Sequence, residues 1–184
     1  LVDNSGNKWI GFGTVSGIGN AGLVKYNNSN WTLYNTASTP ALPSNNITSL
    51  VQDSIGNLWI GTDSGLVKFN GSQFIRYTTT NGLPANYITS VDAIGNVVYI
   101  GTLHGLSKYD GIGFTNYNTA NSQLSSDSIF SIKMQTKTQV WLGGNNRLMR
   151  YLYLTSTLSV FYNYPSNNSG VLNCILLDNL KQKW

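Results

Sequence analysis

The sequence predicts an all-β fold of repeated four-stranded antiparallel blades, a β-propeller, and three observations carry that prediction. An aromatic–aliphatic–glycine hub recurs as Trp9-Ile10-Gly11, Trp59-Ile60-Gly61, Tyr99-Ile100-Gly101 and Trp141-Leu142-Gly143, with Trp184 placed where a fifth copy would begin. The hub-to-hub steps are 50, 40, 42 and 43 residues, and strand-rich repeats of roughly 40–50 residues form blades rather than helical solenoids. Turn chemistry recurs ahead of the hub, and the strands around it are apolar on both faces, as in Leu58-Trp59-Ile60 and Leu66-Val67. Sheets covered on both sides have that pattern.

The second copy shows the unit most clearly. Four strands, A to D, are expected at 47–52, 58–62, 66–70 and 73–78. Between A and B, Asp53-Ser54-Ile55-Gly56-Asn57 supplies an Asx-turn carboxylate and a glycine for positive φ. The first copy repeats this from Asp3 to Asn7, the third carries one extra residue before its hub, which predicts a bulge, and the fourth (135–138) has lost the signal. Asn70-Gly71 and Asp110-Gly111 are two-residue hairpin signals between C and D. Gly61 and its equivalents carry no side chain in mid-strand, which predicts close approach by a neighbouring backbone. The D strands pair rings three apart, Trp31 with Tyr34, Phe74 with Tyr77, Phe114 with Tyr117 and Phe161 with Tyr164. That interval puts them on opposite strand faces and predicts blade-to-blade packing. Lys25, Lys68 and Lys108 share one C-strand position, which predicts stems packed along the blade.

The D-to-A connections, 35–46, 79–86, 118–127 and 165–170, contain Leu42, Leu83 and Leu124, each five residues before the isoleucine of the next A strand. They read as structured loops pinned by a leucine. One domain spans 1–184, with blades at about 1–37, 47–80, 87–120 and 128–164 and a fifth starting at 171–184. The first blade lacks most of its innermost strand, and 171–177 reads as a fifth A strand. The expectation is part of a larger propeller rather than a closed four-bladed ring, since open blade faces are apolar.

Composition narrows the function. Only 10% of the 184 residues are charged, and the net charge of +4 arises from scattered single residues. Nucleic-acid binding needs a basic stripe, and none is present. Cys174 is the one cysteine, so an internal disulfide or cysteine zinc site is excluded, and its apolar surroundings predict a small buried hydrophobe. No apolar run reaches the roughly 18–20 residues that span a membrane. No G-x-S-x-G element, metal-ligand spacing or phosphate-cradling loop appears, so neither cofactor nor metal is expected.

In an antiparallel A-B-C-D blade, the B–C and D–A loops emerge on one face and the short A–B and C–D turns on the other. The first face receives every long connection and the enlarged first B–C loop, 13–20. Functional variation in repeat proteins collects in loops on one face. The candidate ligand-binding residues are therefore Ser16, Ile18, Asn20, Ser38, Asp63, Ser64, Asn81, His104, Asn121 and Asn145. His104 is the only histidine; a ligand contact or a base is possible chemistry for it, and an ordinary loop residue is the plainer reading.

The recurring Ile47, Ser49, Asp53, Gly56, Trp59-Ile60-Gly61-Thr62, Gly65-Leu66, Phe69, Gly71, Phe74 and Tyr77 resemble the two-component regulator propeller repeat, and the third copy matches nearly as well. The resemblance implies a periplasmic or extracellular sensor domain of a hybrid two-component system that binds a glycan or oligosaccharide without catalysis. A histidine kinase and further blades in the same polypeptide would be its partners. A secreted or surface scaffold or adhesin that binds proteins is the alternative. The repeat also resembles, faintly, that of streptogramin-lyase propellers. Such an enzyme needs a histidine base and bound magnesium, whereas the carboxylates here lie mostly in A–B turns, away from His104.

Overall fold

The computed structural model describes residues 1–13, 22–145, 147–152, 157–163 and 170–177, those of 157–163 by backbone alone. Fifteen described strands form four antiparallel sheets. The first holds β1 (Lys8–Gly11), β2 (Leu23–Tyr26) and β3 (Trp31–Tyr34). The second holds β4 (Ile47–Gln52), β5 (Leu58–Thr62), β6 (Gly65–Phe69) and β7 (Phe74–Tyr77). The third holds β8 (Ile88–Ile94), β9 (Val97–Thr102), β10 (Gly105–Tyr109) and β11 (Phe114–Tyr117). The fourth holds β12 (Ser131–Thr136), β13 (Gln139–Gly144), β14 (Arg147–Leu152) and β15 (Thr157–Asn163). Every sheet is a meander in chain order, so each is one blade. In the first blade a stub replaces the inner strand: Val2 bridges Lys8 just as Gln52 pairs with Leu58 one repeat later.

The A–B turn explains why the hub is where it is. One oxygen of the buried Asp53 carboxylate accepts the backbone N–H groups of Ile55 and Asn57 at 3.2 and 2.8 Å. The other accepts the Asn57 amide at 2.7 Å and the Trp59 indole N–H at 2.9 Å. Asp3 makes the same set with Ser5, Asn7 and Trp9. In the fourth blade Gln135 takes the indole N–H of Trp141 at 2.9 Å, also six residues on, so the bond survives loss of the turn signal. The third blade departs from the expected bulge. Its extra residue lengthens the hairpin, with Ala93 opposite Val98 and Ile94 opposite Val97 around a two-residue turn. Asp92, released from turn duty, accepts the Met134 N–H at 2.7 Å and pairs with Lys133 at 3.1 Å, tying the third blade to the fourth.

Blades pack through three apolar clusters. Trp59, Tyr99 and Trp141 are all under 3% exposed. The D-strand rings face opposite ways, as their spacing predicts: Phe74 lies 5.2 Å from Tyr34 of the first blade, and Tyr77 lies 5.3 Å from Phe114 of the third. The pair Phe161 and Tyr164 lies outside the described side chains. The expected close approach of a neighbouring backbone holds at Gly143, where a Cβ would lie 2.6 Å from the Leu172 carbonyl oxygen; at Gly61 and Gly101 the next blade's aliphatic side chain approaches instead. A Cβ at Gly61 would come within 2.9 Å of Ile88, and one at Gly101 within 3.0 Å of Ile129. The repeated serine laces A strands together: Ser49 accepts the Val91 N–H and Ser90 the Ile132 N–H, both at 3.1 Å. The C-strand cations sit over the hub ring they face across the sheet, Lys25 over Trp9 at 5.3 Å, Lys68 over Trp59 at 5.4 Å and Arg150 over Trp141 at 5.7 Å. Such contacts add about 0.5–1 kcal/mol each at a partly exposed site.

Beyond the fourth blade, Val171 bridges Asn145, and the Leu172 N–H reaches the Gly144 carbonyl at 3.3 Å. This segment continues onto the fourth blade, and β1 takes its ladder partner from β2. Cys174 is exposed, contrary to the buried role its neighbours suggest. Among the described residues no helix is long and apolar enough to cross a membrane.

Candidate functional site: the loop-bearing face

The three described D–A loops share a hydrogen-bonding scheme. Four residues after the D-strand tyrosine, Ser38, Asn81 and Asn121 each accept a backbone N–H, from Asn35, Thr78 and Asn118 at 3.2, 3.0 and 2.8 Å. Just before the next A strand, Asn45, Asn86 and Asp127 accept N–H groups from Thr36, Thr79 and Thr119 at 2.8, 2.9 and 2.7 Å. Leu42, Leu83 and Leu124 are buried beneath, as the spacing predicts. Candidate residues Ser38, Asn81 and Asn121 thus occupy one structural position and shape the loops from which they project.

Asp63 and Ser64 sit together in the second B–C loop. The Asp63 carboxylate accepts the Asn46 amide at 3.0 Å and the Ser64 hydroxyl at 2.8 Å. Burial opposes its charge, but hydrogen bonds from Ser44, Asn46 and Ser64 outweigh that and hold the carboxyl below its usual range. His104 is exposed at the equivalent loop of the third blade, where its backbone N–H donates to the Thr102 hydroxyl at 3.0 Å. Asn145 is exposed at the fourth. Ser16, Ile18 and Asn20 lie outside the described residues.

Beside these loops, where successive A strands begin, lies a cavity of about 400 Å³ lined by Asn46, Ile47, Thr48, Tyr87, Thr89, Leu103, Phe130 and Asn173. The lining comes from the second, third and fourth blades and the segment after them. Its described lining contains two aromatic rings, two amides, two threonines and no charged side chain. Its volume falls at the lower end of ligand sites. None of these residues was among the candidates, although a signal for them existed. Thr48, Thr89 and Phe130 are spaced by 41 residues, each directly before a repeated serine, Ser49, Ser90 or Ser131. Two further grooves lie beside the D–A loops, one of about 610 Å³ along Ser38–Ala41 and β7, the other of about 420 Å³ between Asn121 and Tyr151.

The opposite face is built from tight turns. Its carboxylates, Asp3, Asp53 and Asp110, serve their own turns. Among the described residues no cluster of three metal-ligating side chains occurs.

Comparison with known proteins agrees with this architecture. Residues 41–64 match a family described as "Two component regulator propeller". No curated protein matches the sequence. The extracellular domain assigned to hybrid two-component system BT3049 of B. thetaiotaomicron superposes with a TM-score of 0.79 at 19% identity, over 98% of this chain and 25% of its own. The extracellular domain assigned to one-component system BT4673 of the same organism gives 0.73 at 23% identity, over 100% and 24%. Virginiamycin B lyase of Staphylococcus aureus gives 0.74 at 16% identity, over 100% and 60%. The chain spans about a quarter of the length of the two B. thetaiotaomicron domains. The chain has a β-propeller fold, and its residues 41–64 match the two-component regulator propeller repeat.

Proposed function

We propose that the chain is the ligand-recognition part of an extracellular or periplasmic sensor propeller in a hybrid two-component system, that it performs no catalysis, and that its ligand is a glycan or oligosaccharide. The observation that carries this reading is a cavity whose described lining is uncharged, beside the braced loops of the loop-bearing face. Aromatic rings with amides and hydroxyls suit a polyhydroxylated ligand, offering stacking faces and hydrogen-bond partners together. The family match and the likeness to extracellular two-component domains support the sensor role. The first blade supports further blades in the polypeptide. Ile10 is 40% exposed and Trp31 64%, whereas their register mates are covered, Ile60 fully and Phe74 by Tyr34. A kinase in the same polypeptide would receive the signal.

The experiment is to incubate the chain with oligosaccharides from digested polysaccharides and analyse bound and free pools by mass spectrometry. Retention of an unaltered oligosaccharide is expected. No retention would overturn the recognition reading, and appearance of cleaved or unsaturated products that vanish with His104→Ala would overturn the non-catalytic one.

A further inference from the structure

We propose that the axial cavity is the primary contact site, that it selects an uncharged ligand presenting a flat apolar face, and that Tyr87, Phe130 and Asn173 set its specificity. This rests on the reading of the loop-bearing face as the recognition face and assigns the site within it. The first support is a β-bulge at the entry of the inner strands of the second and third blades, with a matching two-against-one arrangement in the fourth. Ile47 pairs with Thr62 and Ser49 with Gly61, leaving Thr48 as the extra residue. Ile88 pairs with Thr102 and Ser90 with Gly101, leaving Thr89. In the fourth blade Phe130 donates its N–H to the Gly143 carbonyl at 2.7 Å while Ser131 faces that same residue, so two residues again meet one. Bulges re-aim side chains next to functional sites, and these three each place one residue in the cavity wall.

The second support is which positions vary. The flanking positions are nearly uniform, Ile47, Ile88 and Ile129 before the bulge residue and Ser49, Ser90 and Ser131 after it. Those residues pack or bond to the neighbouring blade. The bulge residue itself runs Thr, Thr, Phe, and Asn173 stands at the corresponding point of the segment after the fourth blade. A position needed for packing alone would be as uniform as its neighbours. Two threonines here also differ in duty. The Thr89 hydroxyl donates to the Ile129 carbonyl at 2.5 Å, whereas the buried Thr48 hydroxyl has no hydrogen-bond partner among the described residues.

The third support is the chemistry of the wall. Tyr87 and Leu103 are 46% and 40% exposed, apolar surface that water covers poorly. The Asn173 amide is exposed and has no partner among the described residues. Among the described residues no charged side chain lines the cavity, and Asp63 beside it is already bonded to Asn46 and Ser64. An ionised ligand group placed here would lose water without gaining a counterion. A ring stacked on Tyr87 or Phe130 with hydroxyls toward Asn173 loses nothing comparable.

The test is a glycan array holding neutral oligosaccharides and their uronate- or sulfate-bearing counterparts, probed with the wild-type chain, followed by calorimetric titration of the neutral hits. The expected result is neutral hits whose affinity falls at least tenfold in Tyr87→Ala and Asn173→Ala, survives in Tyr87→Phe, and is unchanged in Ile55→Ala on the opposite face. Each variant is first checked for an unaltered melting temperature. Hits confined to acidic glycans would overturn the inference. So would neutral hits that ignore Tyr87→Ala but weaken with His104→Ala or Ser38→Ala; in both cases the recognition face would stand. An array with no hits would overturn both readings.

Discussion

The buried hub and the axial rim lie in the same blades, a few residues apart in sequence, and they treat repetition in opposite ways. At the hub, Trp9, Trp59 and Trp141 each give the indole N–H to a side-chain oxygen six residues earlier, and each lies under a cation from the facing strand. In the fourth blade the interaction is rebuilt, since Gln135 reaches as far as Asp53 does and Arg150 replaces lysine; in the third, Asp92 bonds Met134 and Lys133 instead. At the rim, Thr48, Thr89 and Phe130 share a backbone position, yet the two threonine hydroxyls differ in bonding and the third residue is an aromatic ring. Blades that must stack on identical neighbours need identical contacts, while the open rim is free to differ. In a repeat protein, backbone regularity with side-chain variety marks where a ligand can be met.

Breaking the hub should have the largest effect. Trp59→Ala is expected to cost about 3–5 kcal/mol, because it empties a fully buried ring site between two blades. Denaturant unfolding measures it, and a loss under about 1 kcal/mol would put the hub outside the core.

Asp53→Ala comes next, at about 1–3 kcal/mol, since it strands buried donors on Asn57 and Trp59. Asp110→Ala, in an exposed turn with two backbone donors, is expected to cost well under half of that. Equal losses would mean that Asp53 is only a turn residue.

Tyr77 sharpens the comparison through pH. Burial, helped by the charge and hydrogen bonding of Tyr109, pushes its hydroxyl up to about 12 from an ordinary 10.0. A raised pKa means the folded state keeps a proton that the unfolded chain releases, so this contribution is full below pH 10 and disappears as pH rises toward about 12. The melting temperature should therefore fall over that window in the wild type and fall less in Tyr77→Phe.

The rim variant Tyr87→Ala is expected to change stability by no more than about 0.5 kcal/mol, as exposed substitutions usually do. A large loss would make Tyr87 part of the core and remove the contrast.

The blade repeat, its strands, the braced loops and the structural role of the lysines were all legible in the sequence, because each follows from a local signal such as Asp-x-x-Gly, Asn-Gly or a leucine at fixed spacing. The bulge expected in the third A–B turn was misplaced. An extra residue there extends a hairpin around Gly95-Asn96, and the register shifts sit elsewhere, among them those at Thr48 and Thr89, where no insertion marks them, and one at Gln135 in the fourth blade. Close approach to Gly61 was foreseen, but the approaching group is the Ile88 side chain. The cavity was missed because loops drew the candidates to Ser38, Asn81 and Asn121, whose side chains close their own loops. Its lining is instead gathered by the convergence of successive blades, which no single copy reveals.

Hydrogen–deuterium exchange of the chain with and without a neutral oligosaccharide selected on the array tests the central claim most directly. The account predicts added protection at 46–48, 87–89, 103 and 130 and around Asn173, with the turns at 53–57 and 110–113 unchanged. Protection confined to those turns, or to the groove beside Ser38, would contradict it.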